Sequence, residues 1–188
     1  MAQNAWQGLN RRVAAMHSLW RRAVTDVTLD QVNHHEREGV VPIAFSLMHF
    51  VNNEDRYVTE RLVGGSQLWE DGGWAERVGG NVPQVRRGAP LAVAEGIRFG
   101  DLAAWRAYQE AVFARTEAAM AELPDERFDE VVFPQVPEAM RGGFLSMLAG
   151  DGPVRLGDLM DVVLYQHGMR HLGEVEHARS LVGLGGLD

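Results

Sequence analysis

Leu164-Tyr165-Gln166-His167-Gly168-Met169-Arg170-His171-Leu172-Gly173-Glu174 carries both a helical period and a pair of histidines. His167 and His171 are four residues apart, so on a helix they stand on one face, one above the other. Met160, Leu164 and Ala178 share that stripe at helical spacing, which makes it the inward-facing one. Two imidazoles one turn apart can share a metal ion. They can equally be core or rim histidines satisfied by hydrogen bonds. The helical pattern around them runs from about residue 156 to about 183, with Gly185-Gly186 behind it.

Three more long helical patterns precede it. The first spans about residues 5–27, with Trp6, Leu9, Val13, Met16 and Trp20 as its apolar stripe. The second begins near Pro42 and runs to about Val63, where Gly64-Gly65 ends it. The third follows Asp101, a good N-cap, and continues to about Leu123, where Pro124 stops it. Four helices of this length predict an all-α four-helix bundle, one domain over residues 1–188. No alternating strand pattern reaches a convincing length. Val131-Val132-Phe133 is the best short apolar run, but Pro134 and Pro137 follow at once. The long connections fall after the second and third helices. The first, residues 65–100, is rich in glycine, carries Trp69 and Trp74, and predicts a helical turn at about 67–70. The second, residues 124–155, predicts a short helix over about 137–148. Two aromatic-bearing connections are candidate lids, or plugs, over one end of the bundle.

The chain has 188 residues, a formal net charge of −8 and a pI near 5.3. That charge disfavours nucleic acid as the main partner. It has no cysteine, hence no disulfide, no cysteine nucleophile and no thiolate metal ligand. All 18 basic residues are arginine. A Walker-A lysine and a Schiff-base lysine are thereby excluded. No apolar run approaches the ~20 residues of a membrane helix. The start is arginine-rich and acid-poor, which a transit peptide can be, but the long apolar stripe fits a structural helix better. With no apolar secretory core, the expected location is the cytoplasm.

The second helix adds a third histidine. Ile43-Ala44-Phe45-Ser46-Leu47-Met48-His49-Phe50-Val51 is almost wholly apolar, so His49 must find a partner or lose hydration for nothing. The next turn, Asn52-Asn53-Glu54-Asp55-Arg56, is abruptly polar, and Asn53, Arg56 and Glu60 lie near the His49 stripe. If the second and fourth helices face each other, His49 meets His167 and His171. Such a His₃ set leaves a coordination position open, as catalytic metal sites do. Glu174, on the His167 and His171 stripe, is placed to orient an imidazole or to move a proton. Arg56 or Arg170 could hold an anionic group. His177 lies about 80° off the stripe. Glu174-x-x-His177 is a single E-x-x-H, and His35-Glu36 lacks the second histidine of a zincin.

On these residues the chain resembles the DinB-like superfamily of metal-binding four-helix bundles. The resemblance rests on His49, with Ile43 to Phe50 around it and Glu54-Asp55-Arg56 after it, and on the late His167-x-x-x-His171 followed by Leu172-Gly173-Glu174. Leu29-Asp30-Gln31-Val32-Asn33 and Gln67-Leu68-Trp69-Glu70 add to it, and it covers nearly the whole chain. It implies that His49, His167 and His171 bind one divalent ion, zinc, nickel or iron. It also implies thiol chemistry: relatives include S-transferases and isomerases, some mycothiol-dependent, that use low-molecular-weight thiols on small-molecule substrates. Many relatives carry a His-His pair where this chain has Arg170-His171. The triad survives if the ligand is the second of the pair. The alternative expectation is a non-catalytic metal-binding or stress-related interaction protein, a homodimer seamed through Trp6, Met16 and Trp20.

Overall fold

The computed structural model describes residues 5–85 and 88–187. Helix α1 (Ala5–Ala23) buries Trp6, Leu9, Val13, Met16 and Trp20, the stripe its spacing predicts. It stops four residues short of the expected 27. Its last carbonyls and those after it have other partners. Arg179 Nη1 donates to Ala23 O, and Arg106 donates to Val24 O and Val27 O. With these acceptors taken from outside, the chain leaves the helical path.

A single turn, α2 (Leu29–Val32), follows. Thr28 and Gln31 form a reciprocal capping box over its start. Asn33, just past its end, accepts from Phe99 N and donates to Phe99 O, both at 2.8 Å. The Leu29 to Asn33 stretch is therefore a clip that fixes a distant strand. His34 and His35 lie in the loop beyond it, as expected.

Helix α3 (Ile43–Val58) has Pro42 as its N-cap, one residue outside the expected start. It continues into a π-helical segment, Thr59–Val63, and ends at Gly64, whose φ of 75° suits a residue without a Cβ. The first connection holds α4 (Leu68–Asp71), α5 (Trp74–Val78), β1 (Gly80–Asn81), α6 (Leu91–Glu95) and β2 (Arg98–Phe99). Only α4 is at the predicted turn. Asp55 explains it: its carboxylate accepts from Leu68 N at 3.1 Å and Trp69 N at 2.9 Å and so caps α4 from the neighbouring helix.

Helix α7 (Leu102–Glu122) begins where Asp101 accepts from Ala103 N and Ala104 N, and it ends before Pro124, as predicted. The second connection runs through a 3₁₀ turn (Asp125–Asp129), β3 (Val131–Phe133), a second 3₁₀ turn (Glu138–Met140), α8 (Phe144–Ala149) and β4 (Val154–Arg155). The helix expected over 137–148 is thus two short pieces parted at Arg141-Gly142-Gly143. Two antiparallel ribbons, β1 with β2 and β3 with β4, correct the strand-free reading. Segments of two or three residues are too short to show a period of two. The last long helix is α9 (Leu156–Met160), a π-helical segment (Asp161–Gln166) and α10 (His167–Leu181).

The architecture is an all-α four-helix bundle. α1 packs on α7, and α3 packs along α10. The pairings Ser46 with Glu174, His49 with His171 and Asn53 with His167 show that α3 and α10 run antiparallel. Trp20 stacks on Phe50 at 4.5 Å in the shared core. Gly168 allows this close approach. A Cβ there would sit 2.2 Å from Met16 Sδ and 2.8 Å from Phe50 Cε2. Trp6, Met16 and Trp20 are all 1% exposed or less, so they belong to the core and cannot form a dimer seam. Among the described residues no helix is long and apolar enough to cross a membrane.

Candidate metal centre

The predicted triad assembles. His49 from α3 and His167 and His171 from α10 offer one ligand nitrogen each, all within 4.8 Å of one another. Nε2 of His167 and Nε2 of His171 are 3.0 Å apart. Ligands about 2.0–2.1 Å from a tetrahedral ion stand roughly 3.3 Å from each other, so modest ring movement suffices. The His49 ring meets both partners edge-on, at 5.2 Å to His167 and 4.8 Å to His171, and Phe45 stacks on its outer side. No other such group of His, Cys, Asp or Glu occurs among the described residues.

The electrostatics favour neutral, ligating imidazoles. His49 is pushed down to about 4, chiefly by burial and then by the charge of His171, with the Val85 backbone and Glu174 pulling the other way. His167 is pushed down to about 3, again mainly by burial, then by His171 and His49, with Arg170 and Arg56 adding to it. Nδ1 of His49 is buried without a hydrogen-bond partner. A buried acceptor left empty costs free energy, about 1–3 kcal/mol, and a metal ion is one way to recover it. These observations fit a divalent ion held by three nitrogens.

Glu174, Asn53, Arg56 and Arg170 surround the triad, and Glu60 does not. Glu174 Oε2 accepts from His171 Nδ1 at 2.6 Å and from Ser46 Oγ at 3.3 Å. The His171 contact, ahead of the burial that opposes it, holds the Glu174 carboxyl below its usual range. Asn53 Nδ2 lies 3.4 Å from His167 Nδ1, and Arg56 Nη2 donates to Asn53 Oδ1 at 2.9 Å while its guanidinium lies over Tyr57. Arg170 is exposed and acts on the site through its charge. Glu60 is exposed and takes no part among the contacts at this centre. His177 points to solvent.

The polar turn 52–56 hides a second cluster that the sequence reading did not separate from the first. Glu54 turns away from the triad to His17, and both are fully buried. His17 Nδ1 meets Glu117 at 2.8 Å and its Nε2 meets Glu54 at 3.1 Å. Thr116 Oγ1 donates to Glu54 at 2.6 Å, and Phe113 stacks on the imidazole at 3.9 Å. Burial lowers the His17 pKa, but the two carboxylates together outweigh it and raise the net value. Asp55 accepts from Tyr108 at 3.0 Å and pairs with Arg115 besides capping α4. The available signal was His17 itself, a titratable residue on the α1 core stripe between Val13 and Trp20, which demands a buried partner.

The family model of the DinB superfamily matches residues 12–175. This chain belongs to the DinB superfamily. Among solved structures it is similar to a conserved protein from Enterococcus faecalis, at 15% identity and a TM-score of 0.75. That match covers 96% of this chain and 98% of the other, and at such identity it speaks for the fold alone. No curated protein matches the sequence significantly.

Proposed function

We propose that this DinB protein is a metal-dependent enzyme in which His49, His167 and His171 hold one divalent ion, zinc, nickel or iron. The observation that carries the reading is the convergence of three imidazole nitrogens, all within 4.8 Å of one another, between α3 and α10. Held by His49, His167 and His171, such an ion would supply Lewis acidity toward a thiol. The thiol is a low-molecular-weight cosubstrate, because the chain has no cysteine. The reaction class is S-transfer to a small molecule, or thiol-assisted isomerisation.

The chain's own residues have distinct tasks. Glu174 fixes the His171 ring so that Nε2 faces the ion. Arg56 and Arg170 supply positive charge for an anionic substrate or thiol carboxylate. The Val85 backbone acts on His49, which supports a role for the first connection as a roof over the centre. The net charge of −8 supports a small-molecule partner over nucleic acid, and the expected location is the cytoplasm. The test is a thiol-conjugation panel with metal-loaded wild type and His167→Ala. Metal-dependent turnover lost in the variant supports the reading, and equal activity in both contradicts it.

A second reading, a dimeric interaction protein, draws on one observation. Phe144, Met147 and Leu148 form an exposed apolar face on α8, with Met147 77% exposed. Light scattering of wild type and Met147→Lys separates the two. A strict monomer counts against an interaction role.

A further inference from the structure

The hydrogen bonds around the metal-free triad run in one direction, and metal binding requires that direction to reverse at His167. An arginine side chain can only donate, so the Asn53 atom 2.9 Å from Arg56 Nη2 is the amide oxygen. The amide nitrogen therefore faces His167, and His167 Nδ1 must accept from it. At the other end Glu174 is a carboxylate acceptor, so in the neutral His171 ring Nδ1 carries the proton and Nε2 is the bare nitrogen. Across the 3.0 Å contact between the two Nε2 atoms, His167 must then be the donor. The whole chain reads Arg56 to Asn53 to His167 to His171 to Glu174, each residue donating to the next. In this arrangement His167 holds its proton on the nitrogen that faces the centre.

Coordination through His167 Nε2 needs the opposite tautomer, with the proton on Nδ1. Nδ1 would then face the Asn53 amide nitrogen, donor against donor. Turning the amide over relieves this and presents Oδ1 to His167. The same turn points Nδ2 at Arg56, whose guanidinium has no acceptor to offer it. Arg56 must then leave Asn53. It lies one turn beyond Asn53 on the α3 face that bears His49, close enough for its charge to act on both His49 and His167.

We propose that Asn53 is a metal-responsive amide: loading the triad reverses it and releases Arg56 to bind an anionic group, a carboxylate, beside the ion. The inference rests on the metal reading above and adds to it a residue that orders the two events. Asn53 is a positioning residue, and Arg56 is the anion-binding one. An anionic substrate is accordingly held well only after metal has entered.

The test uses the full-length protein, zinc, and acetate as the anion probe. Long-range ¹H–¹⁵N correlation reports the tautomer of His167, and the Arg56 side-chain resonance is assigned by its loss in Arg56→Gln. On zinc addition the His167 proton moves from Nε2 to Nδ1 and the Arg56 resonance shifts. In Asn53→Ala zinc shifts the Arg56 resonance less than in wild type, through the field of the ion alone. Acetate binds zinc-loaded wild type about tenfold more tightly than zinc-loaded Arg56→Gln. Zinc uptake with an unmoved Arg56 resonance, or with His167 still protonated on Nε2, overturns the proposal and leaves the metal reading standing. Failure to take up zinc overturns both.

Discussion

Two buried histidine clusters lie in the same bundle core, parted by Phe50, Phe113 and Met16, and they are built to opposite ends. His17 sits between Glu54 and Glu117, with Arg21 bonded to Glu117 from the far side. Its charge is compensated, its ring is stacked on Phe113, and its pKa is raised. His49 and His167 see each other, His171 and two arginines, and their pKa values are depressed. The first cluster is closed and keeps a proton. In the second, His49 and His167 reject one. Imidazoles that share one carboxylate among three make poor glue and good ligands. A histidine clamped by carboxylates is the reverse.

The contrast is broken most sharply by apolar replacement. His17→Leu strands Glu54 without its partner in the core and should cost about 3–5 kcal/mol. His49→Leu removes an orphaned nitrogen and should change the stability of the metal-free protein by less than about 1 kcal/mol. Urea denaturation of both variants in chelator checks this. Equal losses would erase the distinction. On the metal side, Glu174→Gln should weaken zinc binding about 10–100-fold, because His171 loses the carboxylate that aims it. Glu117→Gln, at the other cluster, should leave zinc affinity unchanged by calorimetric titration.

Smaller effects sharpen the comparison. Gly168→Ala forces a methyl group into Met16 and Phe50 between the clusters and should cost about 1–3 kcal/mol in thermal or urea unfolding. The pH dependence should have two limbs of opposite sign. The His17 contribution is full below its unfolded pKa of about 6.5 and is lost as pH rises through its raised folded value. The His49 and His167 contributions are full above about 6.5 and are lost as pH falls towards about 4 and about 3. Urea midpoints of metal-free protein should fall at both ends. His17→Gln should flatten the alkaline limb alone.

The triad was legible because its members announce themselves. His167 and His171 share a stripe with Met160 and Leu164, and His49 interrupts an apolar run. The four long helices were legible for the same reason, being long enough for the 3.6-residue period to repeat. The π-helical segments at 59–63 and 161–166 leave no such mark, since one extra residue per turn changes the backbone and not the composition. The ribbons are held by side chains far away in sequence, such as Asn33 on Phe99, and no local pattern can reveal that. Glu54 and Asn53 are neighbours on one helix yet serve different clusters. Asn53 is near the His49 stripe by spacing alone, whereas the partner of Glu54 is His17 on α1, which only the packing of the helices reveals.

The most direct measurement is the metal content of the purified, untagged protein beside His49→Ala. One divalent ion per chain is expected in the wild type and none in the variant. No metal in either, even after incubation with zinc, nickel and iron in turn, would contradict it and leave His49, His167 and His171 as three packed core histidines.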